Sequence, residues 1–350
     1  MTIEAGSVEV ERKVAVLGSG SWGTALATVL AHNGYNVSLW SRNREKVWEM
    51  AETRRNQQYL PDVELEEAIS PTAQMEHALQ GAETVLFAVP SHAMRKVATQ
   101  AACAIHTHQL VVHAAKGFEP ETLKRMSQVL SETLSTHTEG QIVALSGPSH
   151  AEEVVRRQPT TVVVSSMDAR LGDKAQDMLI NSYFRVYTNP DLIGVEIGGA
   201  LKNIIALGAG MSDGLGFGDN AKAALLTRGL AEIGRLGVAM GAKPTTFAGL
   251  AGVGDLVVTC TSQHSRNWRA GYLLGQGYPL ENVLDEMGMV VEGVKTTKAA
   301  YDLSKRYGVD MPITRELYRV LFNGKQPQQA VEDLMGRGKT HEMEDVVRYL

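Results

Sequence analysis

The first half of the chain alternates short runs of aliphatic and β-branched residues with helix-patterned segments. The runs that predict strands are residues 13–17, 36–40, 84–89, 109–114, 141–145, 160–165 and 184–187. The helices predicted between them include residues 22–32, 45–52, 121–134 and 169–179. This alternation is typical of βαβ units, and strands of nearly continuous Val, Ile, Leu and Ala are typical of a sheet covered on both faces. The pattern predicts an α/β fold with a doubly wound, mostly parallel sheet.

The second half of the chain has a different pattern. The helices predicted there are residues 193–210, 220–240, 266–274, 295–307 and 314–322, with no strand among them. The change falls at Asn189-Pro190, a pair that favours a turn or a helix start. We therefore expect a flexible extension over residues 1–11, an α/β domain over residues 12–189, and an all-helical C-terminal domain over residues 190–350.

Composition narrows the classes of partner. The chain has 350 residues, of which 44% are hydrophobic, enough for the cores of two domains. Its 34 basic and 39 acidic side chains give a net charge of −5 without a polybasic block, which argues against nucleic acid as a partner. Residues 1–11 are unlike a signal peptide, and no uninterrupted apolar run of about 18 residues predicts a membrane span.

The two cysteines indicate the compartment. Cys103 and Cys260 form neither a metal-ligand spacing nor a disulfide framework. We therefore expect no metal and a cytoplasmic location. Cys260 is interpreted as a small, partly buried residue.

A glycine motif follows the first predicted strand and opens a helix. Gly18, Gly20 and Gly23 form the pattern G-x-G-x-x-G. In such motifs the glycines serve a tight turn, close approach to a pyrophosphate and helix–strand packing. The motif predicts a Rossmann-type sheet and makes residues 12–189 the dinucleotide-binding domain.

The end of the second predicted strand bears on which dinucleotide is bound. A carboxylate at this point would accept hydrogen bonds from the adenosine ribose, but the chain has Ser41 and Arg42 instead. An arginine can pair with a 2′-phosphate, so the sequence favours NADPH over NADH. The alternative for Arg42 is a solvated cation at a helix start.

A polar, glycine-rich run covers residues 249–267. Asp255 can only accept hydrogen bonds and Arg266 can only donate them, whereas Ser265 and Asn267 can do both. The run ends where a helix is predicted to begin, and a helix N-terminus can bind an anion. The run suits a small ligand with hydroxyl groups and a phosphate, which makes residues 190–350 the substrate-binding domain. The alternative is a polar loop with a helix cap.

Lys202 lies in an apolar, Gly-rich helical segment where its neighbours on the same face are short. A half-buried lysine has a lowered pKa and can exchange a proton near neutral pH. The alternative is a lysine whose stem packs and whose ammonium reaches water.

Two loops at the carboxyl ends of predicted strands add further candidates. One carries Lys116, and the other carries Gly147, Ser149 and His150. His150 is a candidate general acid–base residue, although a histidine beside a turn is more often structural.

These motifs together resemble the bacterial NAD(P)-dependent glycerol-3-phosphate dehydrogenases. The segments that carry the resemblance begin at Gly18, Ala115, Leu145, Gly199, Gly249 and Ser265. The resemblance implies reversible reduction of dihydroxyacetone phosphate to sn-glycerol 3-phosphate for glycerophospholipid synthesis, with Lys202 as proton donor and acceptor. The implied substrate contacts are Lys116, Gly147, Ser149, Lys202, Asp255, Ser265, Arg266 and Asn267. The glycine motif and the resemblance together give the cofactor contacts Gly18, Gly20, Ser21, Trp22, Gly23, Arg42, Lys116, Ala151, Arg266, Val290 and Glu292.

Two other functions stay open on the sequence. A related two-domain β-hydroxyacid dehydrogenase would use a similar lysine on carboxylate substrates. A non-catalytic NAD(P)-binding sensor would keep the glycine turn but would not need a buried base. The Gly- and Ala-rich helices could pack against a second subunit, so a homodimer is a further hypothesis.

Overall fold

The computed structural model describes residues 12–339, so the extension predicted over residues 1–11 lies outside the described residues. The strands are β1 Lys13–Leu17, β2 Asn36–Trp40, β3 Arg55–Asn56, β4 Leu60–Glu64, β5 Ile69–Thr72, β6 Thr84–Phe87, β7 Leu110–His113, β8 Ile142–Ser146, β9 Thr160–Ser165 and β10 Phe184–Asn189. Strands β3 and β4 form a small antiparallel hairpin, and the other eight form one sheet.

The large sheet has the strand order β10-β9-β8-β7-β6-β1-β2-β5. All neighbouring strands are parallel except β8 and β9, which are antiparallel. The predicted fold class, a doubly wound and mostly parallel sheet, is confirmed. The sequence prediction missed β5, where Pro71 disguises the strand; a proline is tolerated there because β5 lies at the sheet edge.

Helices pack on both faces of the sheet. They are α1 Ser21–His32, α2 Arg44–Thr53, α3 Met75–Leu79, α4 Met94–Ala101, α5 Met126–Thr133, α6 Ala151–Val154 and α7 Ala169–Leu179. The prediction of a helix over residues 121–134 was wrong at the N-terminal end, because α5 begins at Met126. Residues 114–125 form a loop that is closed by a backbone bridge between Phe118 and Arg125.

The remaining described residues form a helical bundle. Its helices are α8 Leu192–Gly214, α9 Asp219–Ala239, α10 Asp255–Thr261, α11 Arg266–Gly275, α12 Leu280–Met287, α13 Glu292–Tyr307, α14 Pro312–Asn323 and α15 Pro327–Met335. A π-helical turn, Leu250–Gly254, leads directly into α10. The sequence prediction missed α10, α12 and α15. Strand β10 ends at Asn189 and α8 begins at Leu192, and the division of the chain into domains at residues 189 and 190 stays a prediction.

Helix α8 is the core of the bundle. It is long and apolar enough to cross a membrane, but 94% of its most apolar window is buried inside the protein. Two glycines bring it against α11: a Cβ at Gly210 would lie 1.9 Å from the carbonyl oxygen of Trp268, and one at Gly271 would lie 2.0 Å from that of Leu207. This close packing fixes α11, and hence Arg266 and Asn267 at its start, relative to Lys202 on α8.

Candidate active site

A cavity of about 860 Å³ lies between the carboxyl ends of the central strands and the helical bundle. Ligands of doubly wound sheets bind at this edge. The predicted site residues that line the cavity are Gly18, Gly20, Ser21, Trp22, Arg42, Lys116, Ser149, Lys202, Asp255, Ser265, Arg266, Asn267, Val290 and Glu292. Segments far apart in sequence therefore meet around one space.

Three predicted site residues do not line the cavity. A Cβ at Gly23 would lie 1.9 Å from the carbonyl oxygen of Gly18, so this glycine allows α1 to pack against the turn. Gly147 contributes its carbonyl oxygen, which accepts a hydrogen bond from Lys116 Nζ at 2.9 Å. Ala151 is buried in the core of the sheet. Direct ligand contacts by these three residues stay predictions.

The glycine turn forms one end of the cavity. Gly18 has φ +119° and lies against the Ala88 backbone, a position that excludes a side chain. At Gly20 a Cβ would meet no atom within 4 Å, so the backbone there faces open space. No side chain caps the start of α1, and the buried Nε1 of Trp22 has no hydrogen-bond partner. The uncapped amide groups at the start of α1 fit the pyrophosphate of a dinucleotide.

The opposite part of the cavity contains a buried ionic cluster. Lys202 Nζ donates to Asp255 Oδ1 at 2.5 Å and to Thr259 Oγ1 at 2.7 Å. Lys116 Nζ donates to Asp255 Oδ2 at 2.7 Å. One carboxylate thus holds two ammonium groups, one from the loop after β7 and one from α8.

Burial and charge act in opposite directions on this cluster. Burial lowers the pKa of Lys202 to about 8, although the Asp255 carboxylate raises it, and Lys116 lowers it further. For Asp255, burial would raise the pKa, but the two ammonium groups outweigh burial and hold the pKa below its ordinary value. Lys202 can therefore exchange a proton near neutral pH, while Asp255 stays ionised.

The start of α11 supplies polar groups beside the cluster. Ser265 caps the helix by accepting a hydrogen bond from the Trp268 amide at 3.2 Å. Asn267 Nδ2 donates to Asn203 Oδ1 at 2.9 Å, and Asn267 Oδ1 accepts from the Gly293 amide at 2.8 Å. The guanidinium of Arg266 is exposed, 3.5 Å from the Val290 carbonyl oxygen. Arg266 is therefore available to an anionic ligand, whereas the Trp268 amide is already bonded.

Glu292 joins the two halves of the molecule across the cavity. Its carboxylate accepts hydrogen bonds from the Ser91 amide at 3.2 Å and from the Ser91 hydroxyl at 2.9 Å. This contact connects the start of α13 to the loop that follows β6.

His150 also lines the cavity, but it has different neighbours. Its Nε2 lies 3.4 Å from the Val258 carbonyl oxygen, and its ring lies beside that of His264. Burial lowers its pKa. The structure gives it no hydrogen bond to Lys202 or Asp255 among the described contacts.

Sequence reasoning did not single out Thr259, Asn203 or Lys46 as site residues, yet all three line the cavity. Thr259 lies one helical turn after Asp255, so its place becomes visible only once α10 is recognised. Lys46 lies in the first turn of α2, four residues after Arg42, which precedes the helix.

A second ionic cluster lies beneath the site, outside the cavity lining. Glu196 of α8 accepts hydrogen bonds from Arg125 Nη1 at 2.5 Å and from the Ser127 hydroxyl at 2.6 Å. His113 Nε2 lies 3.1 Å from the same carboxylate. The cluster connects both ends of the loop that carries Lys116 to the helix that carries Lys202.

Comparison with known proteins identifies the family. The model for the N-terminus of NAD-dependent glycerol-3-phosphate dehydrogenase matches residues 13–172, and the model for its C-terminus matches residues 191–332. The chain belongs to the NAD-dependent glycerol-3-phosphate dehydrogenase family. The resemblance predicted from the motifs is confirmed.

Individual relatives agree with this membership in the glycerol-3-phosphate dehydrogenase family. The chain is 60% identical, over 96% of its length and 97% of the relative, to the glycerol-3-phosphate dehydrogenase (NAD(P)+) of Bacillus velezensis. It is 59% identical, with the same coverage, to that of Bacillus subtilis. The crystal structure of the glycerol-3-phosphate dehydrogenase of Coxiella burnetii superposes with a TM-score of 0.90 at 38% identity, over 94% of this chain and all of that one.

Proposed function

We propose that this protein reversibly reduces dihydroxyacetone phosphate to sn-glycerol 3-phosphate, with NAD(P)H as the hydride donor, and so supplies glycerophospholipid synthesis. The observation that carries the proposal is the buried Lys202–Asp255 pair at one end of a cavity that has a dinucleotide-type glycine turn at the other. Family membership and the names of the relatives support both the reaction and the nicotinamide cofactor.

Lys202 has the position and the acidity for the proton transfer. When bound, a nicotinamide would supply a hydride to the ketone carbon of the substrate, and negative charge would then develop on the ketone oxygen. The Lys202 ammonium donates a hydrogen bond to that oxygen and transfers a proton to it, which completes the hydroxyl group. In the reverse direction the neutral amine of Lys202 takes the hydroxyl proton.

Asp255 keeps the two lysines in place during this reaction. Its two oxygens accept from Lys202 and Lys116, at 2.5 Å and 2.7 Å. The Lys116 ammonium adds positive potential beside the developing negative charge, and this stabilises the transition state.

The phosphate of the substrate belongs at the start of α11. Arg266 presents an exposed guanidinium there, and Asn267 is held in a fixed orientation by Asn203 and Gly293. An arginine beside a helix N-terminus suits a dianion. Because Arg266 lies next to Val290, for which the family resemblance implies a cofactor contact, we propose that Arg266 contacts both ligands.

The preference for NADPH remains a prediction that rests on Arg42. A cytoplasmic location and a homodimer likewise stay predictions.

Oxidation of NADPH, followed by its absorbance, tests the proposal against its alternatives. We expect rapid oxidation with dihydroxyacetone phosphate and little with β-keto acids. Activity on keto acids but not on dihydroxyacetone phosphate would instead indicate a β-hydroxyacid dehydrogenase. Tight cofactor binding without turnover of either substrate would indicate a sensor.

A further inference from the structure

We propose that Lys46 acts together with Arg42 to bind the 2′-phosphate of NADPH, which makes Lys46 a residue that determines cofactor specificity. The inference rests on the proposed function, because it concerns the cofactor of the same reaction. It names a side chain that does not belong to the glycine motif or to the Lys202 cluster.

Lys46 lies where the adenosine ribose of a dinucleotide would be. In a doubly wound sheet the ribose binds beyond the end of the second strand, which is β2 here. The cavity wall at this place consists of Trp40, Ser41, Arg42, Asn43 and Lys46. Arg42 lies just before the Asn43 cap of α2 and Lys46 lies in the first turn of that helix, and both line the cavity.

The ammonium of Lys46 is held at the cavity wall. It donates to the Ser19 carbonyl oxygen at 2.7 Å and lies 3.8 Å from the centre of the Tyr59 ring. Burial lowers its pKa to about 8, against the opposing effect of Glu49. A phosphate next to Lys46 would favour the charged form of its ammonium group. That group has three N–H donors, and the Ser19 carbonyl oxygen uses one of them.

The contact with Ser19 does not by itself explain Lys46. The same carbonyl oxygen accepts a hydrogen bond from Asn56 Nδ2 at 2.9 Å, and Asn56 is fully buried. The glycine turn therefore has a second and better protected support.

Carboxylates are located elsewhere in the cavity. Among the described lining residues the acidic ones are Asp255 and Glu292. Asp255 is paired with the two lysines of the reaction centre, and Glu292 is bonded to Ser91. A ribose with a free 2′-hydroxyl would need such an acceptor at β2, whereas a phosphate dianion needs the two cations that are present.

Binding of two cofactor fragments tests the inference without any turnover. The probes are 2′,5′-ADP, which carries the 2′-phosphate, and 5′-AMP, which does not. Dissociation constants are measured by calorimetry for the unaltered protein and for Lys46→Met, Lys46→Arg and Arg44→Gln. Arg44 is the matched control because it is an exposed cation in the same helix turn that does not line the cavity.

We expect the unaltered protein to bind 2′,5′-ADP more tightly than 5′-AMP. In Lys46→Met this preference should fall about ten- to a hundredfold, the range for a hydrogen bond between charged groups. Lys46→Arg should restore most of the preference, and Arg44→Gln should leave it nearly unchanged.

Two results would overturn the inference: equal loss of both fragments in Lys46→Met, which would indicate a purely structural contact, or no preference in the unaltered protein. The proposed function fails in a different way. If dihydroxyacetone phosphate is not reduced while the fragment preference depends on Lys46, the reaction is wrong and the 2′-phosphate site stands.

Discussion

Two buried carboxylates differ in what surrounds them: Glu196 belongs to helix α8, and Asp255 of α10 is paired with Lys202 of α8. Asp255 pairs with two lysines and lines the cavity, whereas Glu196 pairs with Arg125, Ser127 and His113 and does not. Both are almost fully buried, with 1% and 8% of their surface exposed. Burial of an ion pair therefore does not distinguish the proposed reaction centre from a structural joint.

The two clusters differ in the cation that pairs with the carboxylate, which is Arg125 for Glu196 and Lys202 for Asp255. Burial opposes the charge on Arg125, but Glu196 and Glu139 raise its pKa above the ordinary arginine value, so it keeps its proton. For Glu196, burial is likewise outweighed by His113, Arg125 and Ser127, and its pKa falls to about 2. In the Asp255 cluster, burial leaves Lys202 with a pKa of about 8. The same kind of pair thus holds a fixed charge in one place and a transferable proton in the other.

Replacing Lys202 by methionine tests the transferable proton and should have the largest effect. Methionine keeps much of the length of the side chain but has no proton to give. We expect kcat for ketone reduction to fall about 10³- to 10⁴-fold, in the upper part of the range for general acid catalysis, with NADPH affinity little changed. Single-turnover kinetics and a cofactor titration measure the two quantities. Retained turnover would assign the proton transfer to another residue, and His150→Ala would then be the next variant.

Replacing Glu196 by glutamine tests the fixed pair. The change leaves the buried Arg125 with the Glu139 carboxylate but without the charge of Glu196, so we expect the free energy of unfolding to fall by about 1.5–3 kcal/mol, the range for hydrogen bonds to a charged group. Urea denaturation measures it. Glu132→Gln is the control, since Glu132 forms exposed ion pairs with Arg95 and Lys124 and should contribute less than about 1 kcal/mol.

Turnover of Glu196→Gln at a temperature where it is folded makes the comparison sharper. We expect a much smaller loss of kcat than in Lys202→Met, because Glu196 does not line the cavity. An equal loss of kcat without a loss of stability would contradict the distinction between the two clusters.

The sequence predicted the parts of the site that have a local signature. The glycine turn follows from spacing within one βα unit, and Lys202 stands out because it interrupts an apolar helix. The strands with both faces covered were also found, since their apolar runs are nearly continuous.

The parts that the sequence did not predict depend on distant segments. Arg125 and Glu196 are 71 residues apart in the chain and meet only in the fold. Thr259 could not be placed without α10, whose start is hidden behind the glycine-rich π-helical turn. Two-residue strands and edge strands with proline were missed because their pairing partners, rather than their own propensities, determine them.

Replacing Arg266 by alanine tests the link between the reaction centre and the cofactor. Arg266 is exposed beside Val290 and lines the cavity. We expect KM for dihydroxyacetone phosphate and Kd for NADPH each to rise about ten- to a hundredfold, as for loss of a hydrogen bond to a charged group. Arg269→Ala, which removes an exposed arginine of the same helix outside the cavity, should change neither. Weakening of only one ligand would contradict the dual contact.

The pH dependence of kcat/KM gives the finest test, because it reports the acid of the free enzyme. With a Lys202 pKa of about 8, ketone reduction should decline as the pH rises through that value, and oxidation of glycerol 3-phosphate should increase. The Asp255 carboxylate raises this pKa and the Lys116 ammonium lowers it. Asp255→Asn should therefore move the decline to lower pH and Lys116→Met should move it to higher pH, each by about one unit. Movement in the same direction in both variants would show that Lys202 does not set the profile, since the two substitutions remove opposite charges from one cluster.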